Sequence, residues 1–250
     1  MNPPDYSYPR GLFTRVALDA LLLRRRNFRR DAEACIQNLH PSLRVLGIEN
    51  IPQRGPCVVT VNHYHRVGFG AQWLAFAIAA TIPVDMHWIM TGEWIYPDQW
   101  YASLGSIYSR FILPRLARIY GFTTMPPMPP RPKDVETRAA SVRKVLDFVR
   151  HAQNPILGLA PEGHDPPAGV LIRPAHGLGR FGLLLSHAGL KFVPVGAYEA
   201  EGVFTLHFGE AYELRVARDL SADEKDARAA QIVMTRIAAL LPMNLRGEFA

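Results

Sequence analysis

Along this chain, apolar and β-branched runs alternate with segments whose hydrophobic residues recur every three or four positions, the pattern of strands interleaved with helices. Leu43 to Ile48 and Cys57 to Val61 read as strands, joined by a polar turn that contains Pro52, Gly55 and Pro56. Ala71 to Ala80 reads as a helix and Val84 to Met90 as a third strand. From Pro97 to Tyr120, residues Trp100, Leu104, Ile107, Phe111 and Leu116 repeat at helical intervals, punctuated by Arg110, Arg115 and Arg118. That spacing predicts one aromatic amphipathic helix, or a pair broken at Pro114. Five prolines between Pro126 and Pro132 predict an extended connector, after which Val135 to Arg150 resumes helical spacing. Ile156 to Leu159, Phe192 to Val195 and Phe204 to Phe208 supply more strands, and Ser221 with Glu224 forms a capping box that opens a last helix before Pro242. The alternation predicts an α/β domain over residues 43–250, built on a mainly parallel sheet flanked by helices.

Residues 1–42 follow a different pattern. Leu12, Phe13, Val16, Ala17, Ala20, Leu21 and Leu23 fall at roughly helical spacing, and five arginines crowd into Arg24 to Arg30. An apolar helical face that ends in arginines suits the interface of an anionic membrane, where apolar burial and charge attraction add. It equally suits a helix packed on the domain with its arginines in water. The segment is too short and too charged to span a bilayer, and the polar, proline-rich stretch Asn2 to Arg10 does not open like a secretory signal. A peripheral protein on the cytoplasmic, inner face of the membrane is the resulting expectation.

Composition narrows the field. With 250 residues, 48% of them hydrophobic and 20% charged, the chain has the make-up of an ordinary folded domain and not of a fibrous or disordered one. Its two cysteines, Cys35 and Cys57, are too few for a disulfide scaffold and too far apart for a zinc ribbon. The net charge is +6, yet no zinc finger or RNA-binding signature accompanies the basic cluster, so nucleic acid is not an expected partner.

Two polar clusters follow directly on apolar strands, and in parallel sheets ligands gather beyond the carboxyl ends of strands. The first is Asn62-His63-Tyr64-His65-Arg66, after Cys57 to Val61; the second is Pro161-Glu162-Gly163-His164-Asp165, after Ile156 to Leu159. At these clusters the chain resembles the glycerolipid acyltransferase family, the lysophosphatidic acid acyltransferase-like proteins. The resemblance runs in order over about residues 45–247. Val45 to Pro52 is similar to the family's lead-in strand and turn. Asn62-His63 opens its Asn-His-x-Ser-x-x-Asp block, and Ala160-Pro161-Glu162-Gly163 matches its Phe-Pro-Glu-Gly block. Gly177, Gly189, Val193-Pro194-Val195, Leu241-Pro242 and Arg246-Gly247 follow where that family has its glycine-led helix, a later strand and its ending.

The resemblance implies transfer of a fatty acyl group from acyl-CoA or acyl-carrier protein, used as co-substrate with no resident cofactor and no metal, to a lipid or glycerol-type acceptor. His63 is then the general base that takes the acceptor's proton. In the family a carboxylate five residues later orients that imidazole; here the position is Gly68, and His65 stands at the family's serine. Asp165 or Glu162 is the replacement acid on this reading, and backbone amides near Gly163 hold the developing negative charge. The family's phosphate-binding arginines are also altered: Pro127 stands at one such position, and Glu-Gly-Thr-Arg reads Glu162-Gly163-His164-Asp165. Arg66, Arg131 and Arg173 are the candidate substitutes, with Asn62, His65, Gly163 and His164 beside the base, while a neutral hydroxyl or amine acceptor needs none of these arginines.

Two other readings stand beside this one. The broken first block suits a weak or inactive relative that binds acyl chains or membranes. His63-x-His65 with His164-Asp165 also has the residue types of a metal-dependent hydrolase, although histidines of this kind often only cap backbone groups or face water.

Overall fold

The run Cys57–Val61 is buried from end to end, which is what a strand covered on both faces requires, and it lies at the centre of the sheet. The computed structural model describes residues 3–95, 102–166 and 169–250. Its elements in chain order are β1 (Asp5–Tyr6), α1 (Leu12–Leu22), α2 (Phe28–Ile36), β2 (Leu39–His40), β3 (Arg44–Leu46), β4 (Cys57–Val61), α3 (Gln72–Thr81), β5 (His87–Thr91), α4 (Ala102–Tyr120), β6 (Thr123–Met125), α5 (Val135–His151), β7 (Ile156–Leu159), α6 (Leu178–His187), β8 (Lys191–Ala200), β9 (Val203–Phe208) and α7 (Ala222–Ala238).

Seven strands form one sheet in the order β3-β9-β8-β4-β7-β5-β6. Every neighbouring pair is parallel except the hairpin β8–β9, so the expected α/β architecture with a mainly parallel sheet is present. Side chains alternate across β4 and divide the core. Cys57, Val59 and Val61 pack with Cys35, Trp73 and Ile78 of α2 and α3, whereas Val58 meets Val145, Leu185 and Val233 of α5, α6 and α7. Because β7 lies beside β4 in register, with Thr60 opposite Leu159, the two loops that leave their carboxyl ends start side by side.

The N-terminal segment is part of this packing. Leu12, Cys35 and Leu39 share the core that contains Val59 and Trp73. Arg26 reaches back to Asp19 at 2.5 Å and forward to Asp31 at 2.6 Å, which ties α1 to α2, so this member of the basic cluster is neutralised inside the protein. Arg24, Arg25 and Arg30 remain exposed.

The expected strand at 84–90 begins later, at His87, and the one at 192–195 lengthens to ten residues because its second half pairs with β9. Pro114 does not break α4, which runs through it as one helix. Trp100, assigned to that helix from its spacing, lies outside the described residues. The capping box is present, with Ser221 N–H donating to Glu224 at 2.8 Å and Glu224 N–H to the Ser221 hydroxyl at 3.3 Å.

Candidate active site

The strand β4 delivers Asn62 and His63 to the carboxyl edge of the sheet. Asn62 turns inward, where its carboxamide donates to the Ala197 carbonyl at 2.9 Å and accepts from the Ala197 amide at 2.7 Å. Both ends of that side chain are thereby spent on holding the start of the loop against β8. The next residue faces the opposite loop.

From β7 the chain passes through Ala160 and Pro161 to Glu162, whose side chain is wholly buried. One of its oxygens accepts the backbone N–H of His63 and the other that of Ile172, the latter at 3.3 Å. Burial pushes the carboxyl up to about 7, against the opposing pull of the His63 and Ile172 amides. Glu162 therefore clamps backbone, and the nearby charge of His63 also lowers its carboxyl against the effect of burial. Gly163 follows with φ +73, a left-handed turn, and a Cβ there would lie 2.6 Å from the Met128 side chain. Its own N–H donates to the Ala160 carbonyl at 3.2 Å, so this amide is engaged within the turn.

That turn swings Asp165 over the first loop. Asp165 Oδ1 lies 2.9 Å from His63 Nδ1, and Oδ2 lies 3.5 Å from His65 Nδ1. His63 Nδ1 is buried and sits at ion-pair distance without the alignment of a full hydrogen bond. Such contacts often tighten only when substrate is bound. The neighbouring His63 holds the Asp165 carboxyl below its ordinary value despite partial burial, and His65 and His164 act in the same direction. His164 Nδ1 itself lies 3.0 Å from the Glu162 carbonyl.

The three candidate arginines are placed elsewhere. Arg66 grips Glu199 through Nε at 2.7 Å and Nη2 at 2.9 Å. Arg131 holds Glu93 at 2.7 Å and Asp134 at 2.5 Å, and Arg173 pairs with Glu248 at 2.7 Å. Arg173 also lines a hollow of about 880 Å³ against α7 that contains none of the residues around His63. A smaller apolar cleft, about 160 Å³, does adjoin the site: Ala160, Pro161 and Gly163 form one wall, and Met90, Met125 and Phe181 lie among its apolar lining. Glu199, which fixes Arg66 and accepts from Tyr6 at 2.6 Å, is a residue the sequence reading passed over. Its only signal is an acid near the end of a long apolar strand.

No family model and no curated protein sequence matches this chain. Among solved structures, the crystal structure of the 1-acyl-sn-glycerophosphate (LPA) acyltransferase PlsC from Thermotoga maritima is similar, with a TM-score of 0.53. The two share a fold. Identity is 14%, and the match covers 91% of this chain and 86% of that one. Among the described residues, no three His, Cys, Asp or Glu side chains are grouped to hold a metal ion, including His63, His65 and Asp165.

Proposed function

We propose that this chain is an acyltransferase that moves a fatty acyl group from an acyl-CoA or acyl-carrier-protein thioester to a hydroxyl or amine of a lipid or lipid precursor. The observation that carries the reading is the contact of His63 Nδ1 with Asp165 at 2.9 Å, at the carboxyl edge of a sheet whose fold is shared with a lysophosphatidic acid acyltransferase. A carboxylate on Nδ1 leaves Nε2 as the nitrogen that accepts a proton. His63 then takes the acceptor's O–H or N–H proton as the acceptor atom attacks the thioester carbonyl. The tetrahedral oxyanion collapses, the carbon–sulfur bond breaks, and the imidazolium returns its proton to the leaving thiolate. Asp165 is the positioning acid for the imidazolium in this scheme, and Glu162 fixes the backbone that carries His63.

Acyl transfer to a panel of lyso-lipids, glycerol lipids and long-chain amines, with acyl-CoA and acyl-carrier-protein donors, tests the proposal. Wild type should form product, and His63→Ala should lose about 10³-fold or more in kcat/KM. Wild-type transfer that does not depend on His63 removes the reading. An absence of wild-type transfer across the panel favours the inactive relative, which Gly68 at the family's acidic position supports.

The proposed place of work is an anionic membrane surface. No described helix is long and apolar enough to cross a membrane. Phe13, Leu18, Leu21 and Leu22 of α1 are more than half exposed, as are Leu104, Ile107 and Tyr108 of α4, which packs beside α1. Arg24 and Arg25 flank this apolar face. Burying one such side chain contributes roughly 1.5–3 kcal/mol. Replacing Leu18 and Leu21 together by Glu should therefore weaken co-sedimentation with phosphatidylglycerol vesicles by about 100-fold or more, without a change in thermal midpoint. Undiminished vesicle binding by that variant would count against this surface.

A further inference from the structure

Among the described residues, the arginines near the site divide into those with a carboxylate and one without. Arg66 is held by Glu199, Arg110 and Arg131 share the buried Glu93, and Arg131 also engages Asp134. Arg138, on α5, lines the apolar cleft beside Gly163, and among the described residues no carboxylate reaches ion-pair distance of it. Its guanidinium makes a 3.0 Å bond to the Pro127 carbonyl and a 3.5 Å contact with the Met128 sulfur. Burial lowers its ordinary value, and the nearby Arg131 adds to the effect while Asp134 opposes it. Arginine keeps its charge under such conditions, so the cleft contains a fixed cation among methionines and prolines with donor positions to spare. A charge half removed from water and left without a counter-ion gains from an anion that brings apolar surface with it.

We propose that Arg138 is an anion-recognition residue of the substrate cleft, binding the phosphate of an amphiphilic substrate whose apolar part lies along Met90, Met125 and Phe181. This rests on the proposed function for its purpose, and it makes that function more specific by assigning a phosphate-bearing ligand to the cleft. The phosphate can belong to the acceptor or to the coenzyme A portion of the donor.

Binding read without turnover tests it. Titration calorimetry of the full chain with hexyl phosphate and with hexanol should show the phosphate bound more tightly by wild type. Arg138→Met should lower hexyl phosphate affinity about tenfold or more and leave hexanol unchanged, while Arg138→Lys keeps part of the preference. Arg173→Met, an arginine paired on another surface, should bind as wild type does. Displacement of hexyl phosphate by glycerol 3-phosphate assigns the anion to the acceptor, and displacement by coenzyme A assigns it to the donor. Three results overturn the inference: equal phosphate affinity in wild type and Arg138→Met, loss of hexanol binding in step with phosphate in both Arg138 variants, or displacement by neither competitor. Since no acyl transfer is measured, a chain that binds phosphate through Arg138 but transfers nothing would refute the proposed function and leave this site standing.

Discussion

Asparagine in place of Asp165 should lower kcat for acyl transfer by about 10³- to 10⁴-fold with little change in KM for the thioester. The substitution keeps the size of the side chain and its 2.9 Å approach to His63 Nδ1, but removes the negative charge. What is lost is stabilisation of the imidazolium and control of the tautomer, both felt in the transition state and hardly in the ground state. In the serine-hydrolase triad the corresponding change costs about 10⁴. Because Asp165 is about half exposed, with a side-chain exposure of 52%, the thermal midpoint should scarcely move. His63→Ala and Asp165→Asn should also be non-additive, since an orienting acid has nothing to orient once the ring is gone. The pH dependence adds a control. The carboxyl of Asp165 titrates below its ordinary 3.8 in the folded chain, so what it contributes is present above that value and lost only as pH falls further. An acid limb above about pH 5 in the wild-type rate must then have another source. Transfer within tenfold of wild type in Asp165→Asn would show that the acid contact has no part in catalysis.

The position of that acid marks how far the sequence could be read. The strands β4 and β7 and the loops that leave them were legible, because a five-residue run in which Thr60 alone is polar and a four-residue apolar run have few other uses in an α/β chain. Legible too was that Asp165 and Glu162 leave the sheet on one loop beside His63, but not which of them faces the ring. That depends on the turn at Gly163, whose left-handed φ points Asp165 back across the edge of the sheet while Glu162 is driven into the interior. Gly68, at the position where the family that the sequence resembles has its acid, is itself left-handed at φ +82, a conformation that side-chain-bearing residues rarely adopt. The arginines show the opposite limit. Spacing along the chain gives no hint that Arg66 is tied to a glutamate 133 positions away, or that Arg138 has no such partner among the described residues. The strands β1, β2 and β6 were missed because two or three residues carry no measurable period.

Glutamine at position 162 should destabilise the fold by about 1–3 kcal/mol, and the deficit should depend on pH. The carboxyl group gives one oxygen to the His63 amide and the other to that of Ile172. A carboxamide has a single oxygen, so one of these buried N–H groups would face an NH₂ donor and go unpaired. In the folded chain Glu162 is pushed up to about 7 from an ordinary 4.5, so between those values the native state holds a proton that the unfolded state releases. Native protein therefore binds more protons than unfolded protein there, and the stability linked to this group falls as pH rises from 4.5 to 7. That shift is the net of burial and of the opposing amide bonds, and it corresponds to at most about 3 kcal/mol. Glutamine does not titrate. Urea unfolding at pH 5 and pH 8 should accordingly show the deficit of Glu162→Gln at its largest in the acid sample and smaller in the alkaline one. Because the same carboxylate fixes the backbone of His63, the variant should also lose activity at pH 8, where its stability is closest to wild type, and that loss separates a misplaced imidazole from an unfolded chain. A deficit that grows with pH would mean that the buried group is a settled carboxylate, with hydrogen bonds from the two amides outweighing the cost of its burial.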